Sequence, residues 1–151
     1  MSTQIFVNLP VKNLERSVGF FTALGYRFNP QFTNEDATCM VVDDGHIYVM
    51  LLVEKFFATS TPKPIADARR STEVLLCLSC ESRSAVDALV AKAVAAGAST
   101  PYEAKDHGFM YQHGFEDLDG HLWELMWMDP EAAKNGPPSD EQDGAERAPT
   151  A

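Results

Sequence analysis

The sequence repeats one order of segments twice, at a spacing of about 70–75 residues. Each half begins with an apolar strand, continues through an amphipathic helix that ends at a glycine, and finishes with three strand-like segments. The last hairpin of each half carries the same tripeptide, Asp-Gly-His, at residues 44–46 and 119–121. We interpret the two histidines as surface or strand-start residues. A repeat of this length predicts two βαβββ modules.

The repeat divides the chain into parts with different expected roles. Module one covers residues 4–54 and module two covers residues 74–129, and together they predict a single domain over residues 1–129. Residues 55–73 contain two prolines and show no clean hydrophobic period, which predicts a linker between the modules. Gly, Pro, Asp, Glu and Ala dominate from residue 130 onward, so we expect a disordered acidic tail over residues 130–151.

Charge and hydropathy restrict the kinds of partner. The net charge is −10 and the basic residues do not cluster, which argues against nucleic-acid binding. No apolar run is long enough to span a membrane, and the first residues do not have the pattern of a secretory signal. Three cysteines, an odd number, do not predict a disulfide framework. We therefore expect a cytoplasmic protein that binds neither nucleic acid nor membranes.

The last hairpin contains the one carboxylate that lies within an apolar strand pattern, Glu124 in the segment HLWELMWM. The Asp and Gly residues before that strand predict a tight turn, and such a turn pairs Glu116 with His121. This register places His113 opposite Glu124, with Tyr111 on the same face. A carboxylate on an inward face costs free energy unless it is paired or hydrogen-bonded. Glu124 is therefore a candidate functional residue.

Two stretches resemble the vicinal oxygen chelate superfamily: NLPVKNLERSVGFFTALGYRF near the start and DLDGHLWELMWMDP near the end. That superfamily includes glyoxalase I, fosfomycin-resistance enzymes, extradiol dioxygenases and bleomycin-resistance proteins, and the chain looks most like its small bacterial glyoxalase-like members. The resemblance covers residues 4–129. It implies an α+β fold in which two paired βαβββ modules form curled mixed sheets around a cavity. It also implies a homodimer, because chains of this family commonly complete their packing with a partner.

In such a fold one face of each sheet packs on the helices and the other face lines the cavity. Alternation along the strands assigns Tyr48 and Met50 to the helix-packed face. The predicted cavity residues are Phe6, Asn8, Val49, Leu51, Leu75, Cys77, Tyr111, His113, Glu124 and Met126. These side chains are the expected contacts of a small organic ligand.

Metal-dependent members of the superfamily take their ligands from the first and last strands of each module. Carried over position by position, these ligand positions fall on Phe6, Val49, about Leu75, and Glu124. Only Glu124 can bind a divalent cation, and a catalytic site needs roughly three protein ligands. We therefore expect no metal of the family type and no other cofactor. One alternative stays open, in which His113 and Glu124 hold an ion together, or Glu73 substitutes after a slip in register.

Three functions stay open on the sequence alone. The first is a metal-independent lyase or transferase in which Glu124 and His113 form an acid–base pair. A structural alternative to that pair is a polar network that Glu124 closes with His113 and Tyr111. The second function is ligand sequestration without turnover, and the third is a metal-dependent enzyme similar to lactoylglutathione lyase. If the linker covers the cavity, it presents Arg69 or Arg70 to an anionic substrate.

Overall fold

A computed structural model describes residues 2–138 of the chain. Two open four-stranded sheets, each with one long helix, account for most of these residues. The predicted disordered tail begins with a short helix at Pro130–Asn135, and its residues 139–151 lie outside the described part. Within residues 2–138, none of the helices has the length and apolar character that crossing a bilayer requires.

The first module has the predicted order of elements. They are β1 (Ile5–Val11), α1 (Leu14–Ala23), β2 (Arg27–Asn29), β3 (Ala37–Asp43) and β4 (Ile47–Val53). The strand order is β1-β4-β3-β2, with β1 parallel to β4 and the other pairs antiparallel. Helix α1 begins where the Asn13 side chain accepts a hydrogen bond from the backbone N–H of Arg16, which satisfies a free donor of the first turn.

The second module repeats this architecture after a connection that starts with a short helix, α2 (Glu54–Phe57). Its elements are β5 (Leu76–Ser79), α3 (Arg83–Ala95), β6 (Lys105–Asp106), β7 (Met110–Glu116) and β8 (Leu122–Met128), followed by the short helix α4 (Pro130–Asn135). The strand order is β5-β8-β7-β6, the counterpart of the first sheet. The predicted α+β fold of two βαβββ modules is thus confirmed.

One hydrophobic core joins the two modules. Helix α1 of the first module contributes Phe20 and Phe21, whose rings meet aromatic rings from the second sheet. The ring centroids of Phe21 and Trp123 are 5.4 Å apart, and those of Phe20 and Phe115 are 5.9 Å apart. All four side chains are at most 3% exposed. Each module therefore covers part of the other's apolar surface.

The predicted register of the last hairpin is wrong by one residue. Strand β7 pairs Glu116 with Leu122, so that Glu124 lies opposite Gly114. His113, which was predicted to face Glu124, therefore lies on the opposite side of the sheet. A slip of one residue exchanges the faces of every side chain in a strand, because side chains alternate with a period of two.

The turn between β7 and β8 explains this slip. Five residues, 117–121, connect the strands, and the Asp117 carboxylate accepts hydrogen bonds from the backbone N–H groups of Asp119 and His121. An aspartate that binds backbone groups beyond it keeps the chain in a turn conformation. His121 is consequently a turn residue, and β8 begins one residue later than the tight turn would allow.

A second register error concerns β4. Tyr48 lies beside Phe6 in the parallel pair, and Val49 lies beside Val7. Val49 is 2% exposed and belongs to the core, as does Leu51, so neither faces the cavity as predicted. The connection between β3 and β4 has only three residues and a bulge near its start, whereas five residues connect β7 and β8. The two Asp-Gly-His sequences therefore start their strands on opposite faces.

Candidate functional site

The face of each sheet that points away from the core forms the candidate site, and we call it the open face. The residues that define it are Phe6, Asn8 and Tyr48 on the first sheet, and Cys77, Gln112, Glu124 and Met126 on the second. Of the predicted ligand contacts, five lie here: Phe6, Asn8, Cys77, Glu124 and Met126. Leu75 precedes β5 and is 55% exposed. The sheets thus bring together about half of the predicted residues.

Tyr111 and His113 lie on the core side of β7. The Tyr111 hydroxyl donates a hydrogen bond to the Asp87 carboxylate of α3 at 2.6 Å, and this bond raises the pKa of the phenol. His113 donates from Nε2 to the carbonyl oxygen of Tyr102 at 3.0 Å. Both side chains therefore hold neighbouring segments in place, and neither forms the predicted network with Glu124.

Glu124 sits at the centre of a polar cluster on the open face. Its Oε2 atom accepts hydrogen bonds from the Tyr102 hydroxyl at 3.2 Å and from the Gln112 side-chain amide at 3.4 Å. Cys77 is its neighbour on the parallel strand β5. Two donors on one oxygen stabilise the carboxylate on a surface that is otherwise largely apolar.

The surroundings keep two of these groups protonated. Burial, together with the nearby carboxylate of Glu124, raises the pKa of Tyr102 to about 12. Burial is also the main cause that raises the pKa of the Cys77 thiol, and the charge of Glu124 adds to it. At neutral pH Tyr102 is therefore a hydrogen-bond donor and Cys77 is a neutral thiol rather than a nucleophilic thiolate.

Sequence reasoning missed Tyr102 and Gln112. Gln112 would have been found with the correct register, since it pairs with Met126 on the face of Glu124. Tyr102 comes from the irregular segment before β6, and no local pattern marks it. Its approach requires Gly114, because a Cβ at that position would lie only 3.0 Å from the Tyr102 hydroxyl and 2.5 Å from a backbone oxygen of β8.

Comparison with known proteins gives a sequence match to part of the first module and several solved structures of similar fold. The family described as bleomycin resistance protein-like N-terminal matches residues 3–43. A hypothetical protein from S. aureus is 29% identical over 84% of this chain and 95% of its own, with a TM-score of 0.70. A glyoxalase-related enzyme from Fulvimarina pelagi is 20% identical over 84% and 88%, with a TM-score of 0.69. No curated protein matches the chain.

A third solved structure carries the family description in full. It is a glyoxalase/bleomycin resistance protein/dioxygenase from Nocardioides, 19% identical over 92% of this chain and 89% of its own, with a TM-score of 0.67. The sequence match in the first module and the shared fold agree with the resemblance of the two motifs. Residues 3–43 thus match a bleomycin-resistance-type family, and the described residues have the fold of glyoxalase/bleomycin-resistance proteins. A shared fold does not transfer an activity, since members of one fold carry unrelated functions.

The donor set does not fit the metal centre of metal-dependent superfamily members. In the observed register, the open-face positions on the first and last strands of the modules are Phe6, Tyr48, Cys77 and Glu124. Cys77 and Glu124 are possible metal ligands. The sequence had suggested only Glu124, because it assigned the position on β5 to Leu75 and not to Cys77. Among residues 2–138, no group of three or more His, Cys, Asp or Glu side chains is placed to hold an ion. A catalytic divalent centre needs about three such ligands.

The linker covers one end of the open face. Between the linker, the end of β1 and the turn before β8 lies a cavity of about 310 Å³, which we call the linker pocket. Its walls come mainly from residues 8–10, 61–74 and 120–122. Arg69 is not directed at a ligand: its guanidinium donates a hydrogen bond to the carbonyl oxygen of Leu118 and lies 3.9 Å from Glu116.

Proposed function

We propose that the protein binds a small organic molecule on the open face and holds it beside Glu124 without chemical turnover. The observation that carries this proposal is the half-satisfied carboxylate. Tyr102 and Gln112 both donate to Oε2, and no other residue in the described part of the chain hydrogen-bonds to Oε1. A carboxylate oxygen that is fixed in orientation and still free is suited to receive a donor from a ligand.

Other side chains of the open face favour a cationic ligand with an aromatic or apolar body. Phe6 and Tyr48 stack with their ring centroids 4.8 Å apart, and Phe6 is 50% exposed, so the pair offers an aromatic surface. Met126 adds a flexible apolar contact next to Glu124. The net charge of −10 raises the local concentration of cations around the chain.

Sequestration is supported better than acid–base catalysis. The predicted pair of Glu124 and His113 requires the two side chains on one face, and the register of β7 separates them. The raised pKa values of Tyr102 and Cys77 disfavour a phenolate base and a thiolate nucleophile at neutral pH. The remaining chemistry of the cluster is recognition through charge and hydrogen bonds.

A homodimer and a cytoplasmic location complete this proposal. Several large apolar side chains at the edges of the open face are about half exposed, among them Phe6, Val74 and Leu75. A second copy would remove this surface from water and enclose the ligand. The three cysteines are free, which suits a reducing compartment. Sedimentation velocity tests the dimer, and a monomer at all accessible concentrations would contradict it.

The charge of Glu124 can be tested by removing it without changing the shape of the side chain. We expect Glu124→Gln to weaken the binding of aromatic cations by about 10-fold or more, because a charge-assisted hydrogen bond is lost. Neutral analogues of the same size should bind both proteins alike. Isothermal titration with a panel of aromatic cations and their neutral counterparts measures both effects, and mass spectrometry of the mixtures checks for products.

The matched control is Glu35→Gln, which removes the same charge from an exposed loop of the first module. We expect its affinity for cations to stay within about twofold of the unchanged protein. Equal loss in both variants would mean that overall charge, and not the Glu124 cluster, attracts the ligand. If the unchanged protein converts a ligand to product, the protein is an enzyme and the proposal of sequestration is wrong.

A further inference from the structure

The linker pocket has the size of a small ligand site. Its volume of about 310 Å³ lies at the lower end of the range for small-molecule pockets. Apolar side chains make most of its wall, including Pro10 from β1, Ile65 from the linker, and Leu122 from β8. Leu122 is two residues from Glu124 on the same strand face, so the linker pocket adjoins the open-face site, and Asn8 belongs to both.

The roof of this pocket is fixed to the second module. Gly120 approaches the linker so closely that a Cβ there would lie 2.7 Å from Cγ of Arg69 and 2.8 Å from its backbone nitrogen. The Arg69 guanidinium also donates to the carbonyl oxygen of Leu118. Because two kinds of contact hold this part of the linker against the turn, the cavity is formed before a ligand arrives.

His121 gives the pocket a hydrogen-bond acceptor. Its Nε2–H donates to the carbonyl oxygen of Pro10 at 2.8 Å, since a carbonyl can only accept. In the neutral ring this bond leaves Nδ1 as the acceptor, and no other residue in the described part of the chain hydrogen-bonds to Nδ1. The sequence had suggested only a surface or strand-start histidine, and the structure places it in the pocket wall.

The residues that line the pocket do not share the acidic excess of the whole chain. Residues 61–73 carry three basic side chains and two acidic ones, whereas the full sequence has 12 basic and 22 acidic residues. Lys63 is the only lysine or arginine that lines the pocket within residues 2–138, and Glu73 is the only carboxylate. Asn8, on the floor, adds an amide that can donate to an anion.

From these groups we infer that the linker pocket binds a small carboxylic acid that carries a hydroxyl group on an apolar body. Lys63 and Asn8 receive the carboxylate, and Nδ1 of His121 accepts the hydroxyl proton in a hydrogen bond. Pro10, Ile65 and Leu122 contact the apolar body. This ligand is anionic, in contrast to the cation proposed for Glu124, so the two sites differ in charge preference.

Three probes of similar size test the inference on the full-length protein: 4-hydroxybenzoate, benzoate and 4-hydroxybenzyl alcohol. We expect 4-hydroxybenzoate to bind most tightly, with benzoate and the alcohol each about 10-fold weaker, because each lacks one polar contact. Isothermal titration measures the affinities. Equal affinity for all three probes, or no binding of any, would overturn the inference.

Variants locate the binding. Lys63→Gln should weaken the binding of 4-hydroxybenzoate by about 10-fold. The control is Lys55→Gln, on the exposed helix α2 outside the pocket, which should keep the affinity within about twofold of the unchanged protein. Ala66→Trp places a large ring into the pocket from the exposed linker and should abolish binding while circular dichroism stays unchanged. Undiminished binding in Lys63→Gln or Ala66→Trp would refute the site. Neither change touches Glu124, so cation binding there is measured separately.

Discussion

The two Asp-Gly-His turns have the same residues and opposite roles. In the first module, Asp44 is 73% exposed and pairs with Arg27, itself 68% exposed, at 3.2 Å. In the second module, Asp119 is 6% exposed and accepts hydrogen bonds from the backbone N–H of Lys12 and the hydroxyl of Ser17. One turn is a solvated hairpin end, and the other is a joint between the modules.

Two further residues of the buried turn, Asp117 and His121, also make hydrogen bonds that the exposed turn lacks. The buried carboxylate of Asp117 accepts hydrogen bonds from the indole N–H of Trp123 at 3.0 Å and from backbone N–H groups of its own turn. His121 reaches across to the carbonyl oxygen of Pro10 in β1. A repeated motif therefore does not imply a repeated environment. What differs is the surface against which the turn packs.

The largest expected difference between the turns is the loss of their first aspartate. Asp117→Ala should lower the free energy of unfolding by about 3 kcal/mol, because Trp123 and two backbone N–H groups lose their acceptor in a buried site. Asp43→Ala, which removes the aspartate directly before the exposed turn, should change it by less than about 0.5 kcal/mol. Urea denaturation measures both, and similar losses would show that the turns are energetically equivalent.

The glycines give the next largest difference. Gly45 and Gly120 both have positive φ, 85° and 93°, so alanine strains the backbone by about 1 kcal/mol at either position. At Gly120 the new methyl group also collides with Arg69, whereas nothing lies within 4 Å at Gly45. We expect Gly120→Ala to cost about 2–3 kcal/mol in total. If the linker is cleaved faster by a protease in Gly120→Ala alone, the close contact of Gly120 with the linker is supported. Equal losses of stability and equal cleavage in Gly45→Ala and Gly120→Ala would contradict it.

The smallest effect is a pH dependence that only the buried turn should show. Burial raises the pKa of Asp117 above its ordinary value of 3.8, so folding favours the protonated form. The contribution of Asp117 to stability is therefore complete below pH 3.8 and decreases as the pH rises through its folded-state pKa. The stability difference between the unchanged protein and Asp117→Asn should shrink over that window. A constant difference from pH 3 to pH 7 would show that Asp117 does not titrate with folding.

The site was less predictable than the fold. Alternation and helical spacing indicated the elements, because these patterns depend on neighbours in sequence. The identity of Glu124 as an open-face carboxylate also followed from such a pattern. Its partners did not: a one-residue register shift replaced His113 with Gly114 across the hairpin and put Gln112 on its face. That shift depends on how one aspartate side chain folds back onto its turn.

The sequence by itself determined the duplicated βαβββ order and the presence of a lone acid in the last strand. Tertiary structure decided which residues surround that acid, that Tyr102 reaches it over Gly114, and that only one of the two equal turns is buried. The physical reason is the range of the forces involved. Hydrophobic periodicity acts along a strand or helix, whereas turn hydrogen bonds and packing between modules fix register and approach, and a single residue of register exchanges the two faces of a sheet.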